Sequence, residues 1–188
     1  TQNLTKAECK RRALLVADWF VNTQVVTCEP AHDANHGRFV YNHHLKSGLV
    51  CRGLSWTQGR GIMCLLGAWQ LSKRDRYAQA AFNAADYLVH GLQMLDARDK
   101  RTFGCFREEV PTSRFCFPRD GIEGALGLLM LHQFSGEAVY LDRARLFADW
   151  YLNVAMNPET GWTRGVVDFD DPKRTLGPER FFQAGGAP

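Results

Sequence analysis

No run of about 18 apolar residues occurs in the 188-residue chain, so no helix here is long and apolar enough to cross a membrane. Nor does one sign of charge dominate: 23 Lys and Arg stand against 20 Asp and Glu, a net charge of +3. With no strongly basic helix and no stacking motif, nucleic acid is not an expected partner. The six cysteines include no Cys-x-x-Cys, so a zinc site has no spacing signal. The Asp-x-Asp-x-Asp-Gly calcium pattern is missing too, and Asp168-Phe169-Asp170-Asp171-Pro172 reads as an exposed turn before proline. The opening Thr1-Gln2-Asn3-Leu4-Thr5 has no signal-peptide pattern, although a cleaved leader would leave the same start. No metal and no cofactor is expected.

The chain does have the means to build a core. It is 45% hydrophobic and 12% aromatic, which suits one globular domain over residues 1–188. Cys9 and Cys64 fall in helical patterns and read as small core residues. Cys28 with Cys51, or Cys105 with Cys116, brackets a loop and could staple it in an exported protein. Free buried thiols are the preferred reading, which favours a cytoplasmic setting and leaves export open.

The chain repeats. Ala17-Asp18-Trp19 returns as Ala85-Asp86-Tyr87 and again as Ala148-Asp149-Trp150, with the second spacing kept from Gly61/Gly124 through Leu65/Leu128 to Tyr77/Tyr140. Each full repeat has two helices. Ile62–Leu71 and Ile122–Phe134 are apolar at nearly every position, and such helices are expected to be buried all round. Their partners are amphipathic: Tyr77, Ala81, Ala84, Leu88 and Leu92, then Tyr140, Ala144, Phe147, Tyr151 and Ala155. A first amphipathic helix, about Thr5 to Val25, has the same signature. The repeated Asp is expected on the surface, paired with nearby Arg or Lys.

The links are unequal. Inner-to-outer links such as Ser72–Asp75 are short, whereas outer-to-inner links, Thr27–Trp56 and Asp96–Pro118, are long. In an alternating array the long links gather at one end, and links beyond about 12 residues are usually functional. Each long link has a glycine–aromatic segment suited to a short strand: Gly37–Tyr41, Thr102–Phe106 and Gly161–Gly165.

Candidate site residues converge at that end: Trp56, Gln58, Arg60, Arg119, Asp120 and Glu123, with His32, His36, His43 and His44 in the first link. In Phe117-Pro118-Arg119-Asp120-Gly121-Ile122-Glu123-Gly124 the two carboxylates share one helix face. Asp120 reads either as a helix cap or as a placed carboxylate at the positive end of the dipole. Trp56 offers a flat face to sugar C–H groups, or packs the helix entrance. Gln58, Arg60 and Arg119 offer groups for hydroxyls, and Arg60 could instead bridge to a loop carboxylate. The stretch Arg98–Arg119 holds six cations and three anions, a positive rim suited to an anionic ligand or simply a solvated loop. His43 and His44 are neighbours and would face opposite ways on a strand; His32 and His36 sit in a loop, so a metal is not expected. One histidine could still serve as a base or a sugar contact.

An apolar inner helix, an amphipathic outer helix and a β-like return every 63 or so residues resembles the six-hairpin α/α toroid of several carbohydrate-active families. The implied fold class is all-α: about half of such a toroid, with short β-like segments in its long loops. A full ring takes about 380 residues at this repeat length. The chain is therefore expected to be a fragment of a longer toroid, or a half-toroid that pairs with another copy. Within the class it is most similar to unsaturated glucuronyl and rhamnogalacturonyl hydrolases. Their general acid and base is an aspartate at the start of an inner helix, which matches Asp120. Trp56-Thr57-Gln58-Gly59-Arg60-Gly61 looks like their tryptophan–arginine–glycine entry in a different order. The resemblance implies a hydrolase for acidic oligosaccharides. Sugar 2-epimerases of the N-acylglucosamine type share the architecture and rely on histidines at the same end. A non-catalytic glycan-binding or assembly module is the remaining reading.

Overall fold

The computed structural model describes residues 4–27, 34–48, 50–52, 55–170 and 181–182. Cys28 and His32 lie outside them. Helix α1 spans Lys6–Thr23; the Thr5 hydroxyl caps it by accepting from the Glu8 N–H at 3.2 Å. Helices α2 (Ser55–Ser72) and α3 (Asp75–Asp86) form the first hairpin, and α4 (Pro118–Ser135) and α5 (Ala138–Trp150) the second. α3 and α5 both run on as a π-helical turn, Tyr87–Leu92 and Tyr151–Ala155. α4 ends at Gly136, whose φ of 78° suits a residue without Cβ.

α2 and α4 lie side by side and parallel. Early residues meet early ones: a Cβ on Gly59 would stand 1.9 Å from the Glu123 carbonyl oxygen. Late residues meet late ones: the Trp69 and Phe134 rings are 4.9 Å apart, edge to face. α3 and α5 pack outside this pair. Tyr77, Ala81 and Ala84 of α3 and Tyr140, Ala144 and Phe147 of α5 are buried, as the amphipathic pattern requires. Ile62, Leu65, Leu128 and Leu131 are fully enclosed, each contributing about 1.5–3 kcal/mol at most.

The inner helices are not buried all round. Arg60, Gln70 and Leu71 on α2 and Arg119, Leu126, Met130 and Gln133 on α4 are exposed, with Met63, Cys64 and Gly67 half-buried between them. These positions recur every three to four residues and make one open stripe on each helix. An apolar rod in a hairpin layer is covered on three sides, so its fourth side stays apolar and open.

Both long links lie at one end. Arg38 of the first reaches Glu109 of the second at 3.6 Å, and the Phe39 N–H donates to Gln58 Oε1 on α2 at 3.2 Å. A device missed in the sequence closes each link. Gln24 Nε2 donates to the carbonyls of Gly37 and Ala80, both at 2.9 Å. Gln93 Nε2 does the same with Gly104 at 3.0 Å and Arg143 at 2.9 Å. One buried amide thus ties the end of an outer helix to its own link and to the next outer helix. Gly37 and Gly104 have φ of 85° and 101°, and a Cβ on either would strike the Asn83 or Leu146 carbonyl.

Short strands stitch the links. β1 (Val40–His43) pairs antiparallel with β2 (Val50–Arg52), β3 (Phe115–Cys116) with β5 (Val167–Asp168), and β4 (Thr163–Arg164) with β6 (Phe181–Phe182). Two of the three glycine–aromatic segments thus contain strand; Thr102–Phe106 is a turn with a single bridge between Gln93 and Phe106.

Two local readings need correction. Cys9 is exposed and not a core residue, whereas Cys64 is half-buried and packs against the core, and Cys105 and Cys116 are buried free thiols. The Cys51 side chain lies outside the described part. Asp168 is buried in β5, not exposed in a turn, because Arg114 reaches it with Nε at 3.1 Å and with Nη2. Of the repeated Asp, Asp86 and Asp149 are exposed and Asp18 pairs with Arg76, as expected; Asp18 also accepts from the Tyr77 hydroxyl and so joins α1 to α3.

Candidate active site

α4 starts with Phe117 as its extended cap residue and Pro118 next, a residue whose missing N–H costs nothing there. Asp120 is therefore not the cap. It lies inside the first turn, its own N–H donating to the Phe117 carbonyl at 2.9 Å. Its carboxylate makes no ion pair or hydrogen bond among the described residues. Partial burial pushes its pKa up; Arg119 opposes this and Glu123 adds to it.

A recess of about 310 Å³ opens at this point, lined by Trp56, Arg60, Arg119, Asp120 and Glu123. That volume is at the small end of ligand sites, enough for one or two sugar rings. α2 supplies Trp56 and Arg60 and α4 the other three. The tight approach at Gly59 and Gly127 brings the two helix starts together: a Cβ on Gly127 would stand 2.8 Å from the Gly59 Cα. Arg60 Nη2 donates to Glu123 Oε1 at 2.6 Å, and its guanidinium carbon lies 5.7 Å from the Trp56 ring centre. Arg60 thus bridges to the neighbouring inner helix, not to a loop. Its side chain is 55% exposed against 23% for Glu123. So exposed a pair contributes about 0–1 kcal/mol and is easily exchanged.

Behind Asp120, Cys116 is wholly buried and within hydrogen-bonding reach of Cys105; burial first, then that bond, push its thiol well up. Buried Glu108 adds its charge to the same surroundings and raises the thiol further.

Other candidates are placed elsewhere. Gln58 is fully enclosed, its Oε1 held by the Phe39 N–H, so it cannot meet a ligand and is a structural residue. His44 is exposed in the turn between β1 and β2, with Nδ1 2.6 Å from Ser47 Oγ. His36 Nδ1 accepts from the Thr27 N–H at 3.1 Å. Neither lines the recess, and the side chain of His43 lies outside the described part. The positive rim is largely neutralised: Arg98 binds Asp96, Arg101 binds Asp99, Arg114 binds Asp168, and Arg107 binds the Ser113 carbonyl. Lys100 and Arg119 are the exceptions, exposed and without an ion pair among the described residues.

No protein-family model and no curated protein matches the sequence. The structure is similar to that of cellobiose 2-epimerase from Spirochaeta thermophila DSM 6192, with a TM-score of 0.65 and 16% identity over 87% of this chain. The chain is part of an α/α toroid. It spans 40% of the length of that structure. At this identity the likeness shows the fold alone. The toroid accounts for the open stripes, since inner helices in a ring turn one face to the central axis. The recess stands at the rim end of those stripes, where the long links gather.

Proposed function

We propose that the protein is a carbohydrate-processing enzyme acting on acidic oligosaccharides that end in an unsaturated uronyl residue, with Asp120 as general acid and base. The observation that supports this reading most is Asp120 itself: a half-buried carboxyl with a raised pKa and no partner among the described residues, in a recess beside an aromatic ring and two arginines. A carboxyl whose pKa is lifted by desolvation keeps its proton closer to neutral pH and can donate it. Asp120 gives its proton to the double bond of the uronyl ring. Water adds to the carbocation that results, Asp120 takes back a proton from that water, and the hydrated ring opens. One carboxyl serves both steps. An ordinary glycosidase needs two carboxyls facing each other across the substrate. Glu123 shares a helix face with Asp120 and is held by Arg60, so it does not face Asp120 in that way.

Trp56 would carry the apolar face of a sugar ring, and Arg119 its carboxylate. The test is incubation of the protein with an unsaturated uronyl disaccharide, followed through the ultraviolet absorbance of the double bond. The absorbance is expected to fall; saturable binding without any fall would replace the enzyme by a glycan-binding module.

A sugar 2-epimerase is the second reading, supported by the fold neighbour, a cellobiose 2-epimerase. It requires deuterium from solvent to appear at a sugar carbon, and loss of that exchange when a loop histidine is changed. The positions of His36 and His44 away from the recess favour Asp120 chemistry over it.

A further inference from the structure

Arg60 and Glu123 occupy equivalent places in successive repeats, 63 residues apart, and their side chains close across the mouth of the recess. The pair is partly open to water, and Arg60 is also steadied by the Trp56 ring, a support that does not depend on Glu123. The other arginines of the second long link are tied to Asp96, Asp99, Asp168 and a backbone carbonyl. Arg119 and Arg60 are therefore the two cations of the recess that can meet an incoming anion.

We propose that Arg60 exchanges partners: the carboxylate of an acidic sugar displaces Glu123 from Arg60, so that the ion pair acts as a gate selecting uronic acids over neutral sugars. This rests on the sugar reading above and specifies how the same recess chooses its ligand. A neutral sugar offers no charge to break the pair, and Glu123 stays closed over Arg60. An acidic sugar gives Arg60 a second carboxylate of equal charge, with Arg119 beside it to share the load.

Titration calorimetry with D-glucuronate and D-glucose tests the exchange in the wild-type protein, Arg60→Gln and Glu123→Gln. Wild type is expected to prefer glucuronate by about tenfold, the scale of one charge-assisted contact. Arg60→Gln should reduce the preference to what Arg119 supplies alone. Glu123→Gln should bind glucuronate more tightly than wild type, because the internal competitor is gone. A merely structural pair predicts the opposite for Glu123→Gln, and weaker glucuronate binding there overturns the proposal, as does a preference undiminished in Arg60→Gln. If the exchange fails while the double-bond absorbance still falls, the enzyme reading stands without the gate. If neither sugar binds and the absorbance is unchanged, both fall together.

Discussion

Arg60 and Glu123 meet at 2.6 Å although 63 residues separate them, one full repeat. A contact between equivalent positions requires that α2 and α4 run parallel and in register, with their starts on the same rim. That register puts Trp56 and Arg60 opposite Arg119 and Asp120. The site is therefore a product of the repeat itself.

The register depends on two glycines with almost no room around them. Gly59→Ala would push a methyl group into the Glu123 carbonyl, where the obstacle is backbone and cannot swing aside. We expect a loss of about 3 kcal/mol, beyond the small helix-propensity gain of alanine. Gly67 is on the same helix with nothing within 4 Å of its would-be Cβ. Gly67→Ala should stabilise by about 0.5–1 kcal/mol. Thermal melts of the two variants check both signs at once.

Gln93→Ala should uncouple the second link from α5. It removes one buried and one partly buried hydrogen bond and leaves the carbonyls of Gly104 and Arg143 without that donor. The expected cost is about 2–3 kcal/mol, a fall in Tm of roughly 5–10 °C for a chain of this size. Gln93→Glu should be no better, since a carboxylate brings no N–H to either carbonyl.

Asp120 should destabilise the fold at neutral pH. Its folded pKa is raised, so between its ordinary value of 3.8 and the raised one the folded state binds more protons than the unfolded state. Stability then falls as pH rises through that window and stays reduced above it. Asp120→Asn removes the titration. The variant should melt higher than wild type at pH 7, with the gap closing as the pH drops below 4; chemical denaturation at a series of pH values checks this.

Much of the architecture could be read from the chain because it depends on local pattern. The Gly61/Gly124 and Tyr77/Tyr140 matches carry the repeat, and link lengths alone put the long links at one end. What could not be read depends on distant partners. Gln58 seemed a candidate ligand because helix starts often face a site, yet the Phe39 N–H arrives from another link and seals it. Asp168 is buried because β5 pairs with β3, a contact that no nearby residue announces. The Gln24 and Gln93 clamps escaped notice because link lengths differ, which shifts them out of the 63-residue spacing. The arginines of the second link looked like a positive rim in sequence; turns that bring Arg98 to Asp96 and Arg101 to Asp99 neutralise it locally.

The most direct test of the account is the turnover of an unsaturated uronyl disaccharide by wild type and Asp120→Asn, with KM measured for both. Removing a general acid and base should lower kcat by about 10²–10⁴-fold and leave KM within a few-fold. Turnover by Asp120→Asn at the wild-type rate would contradict the role assigned to that carboxyl.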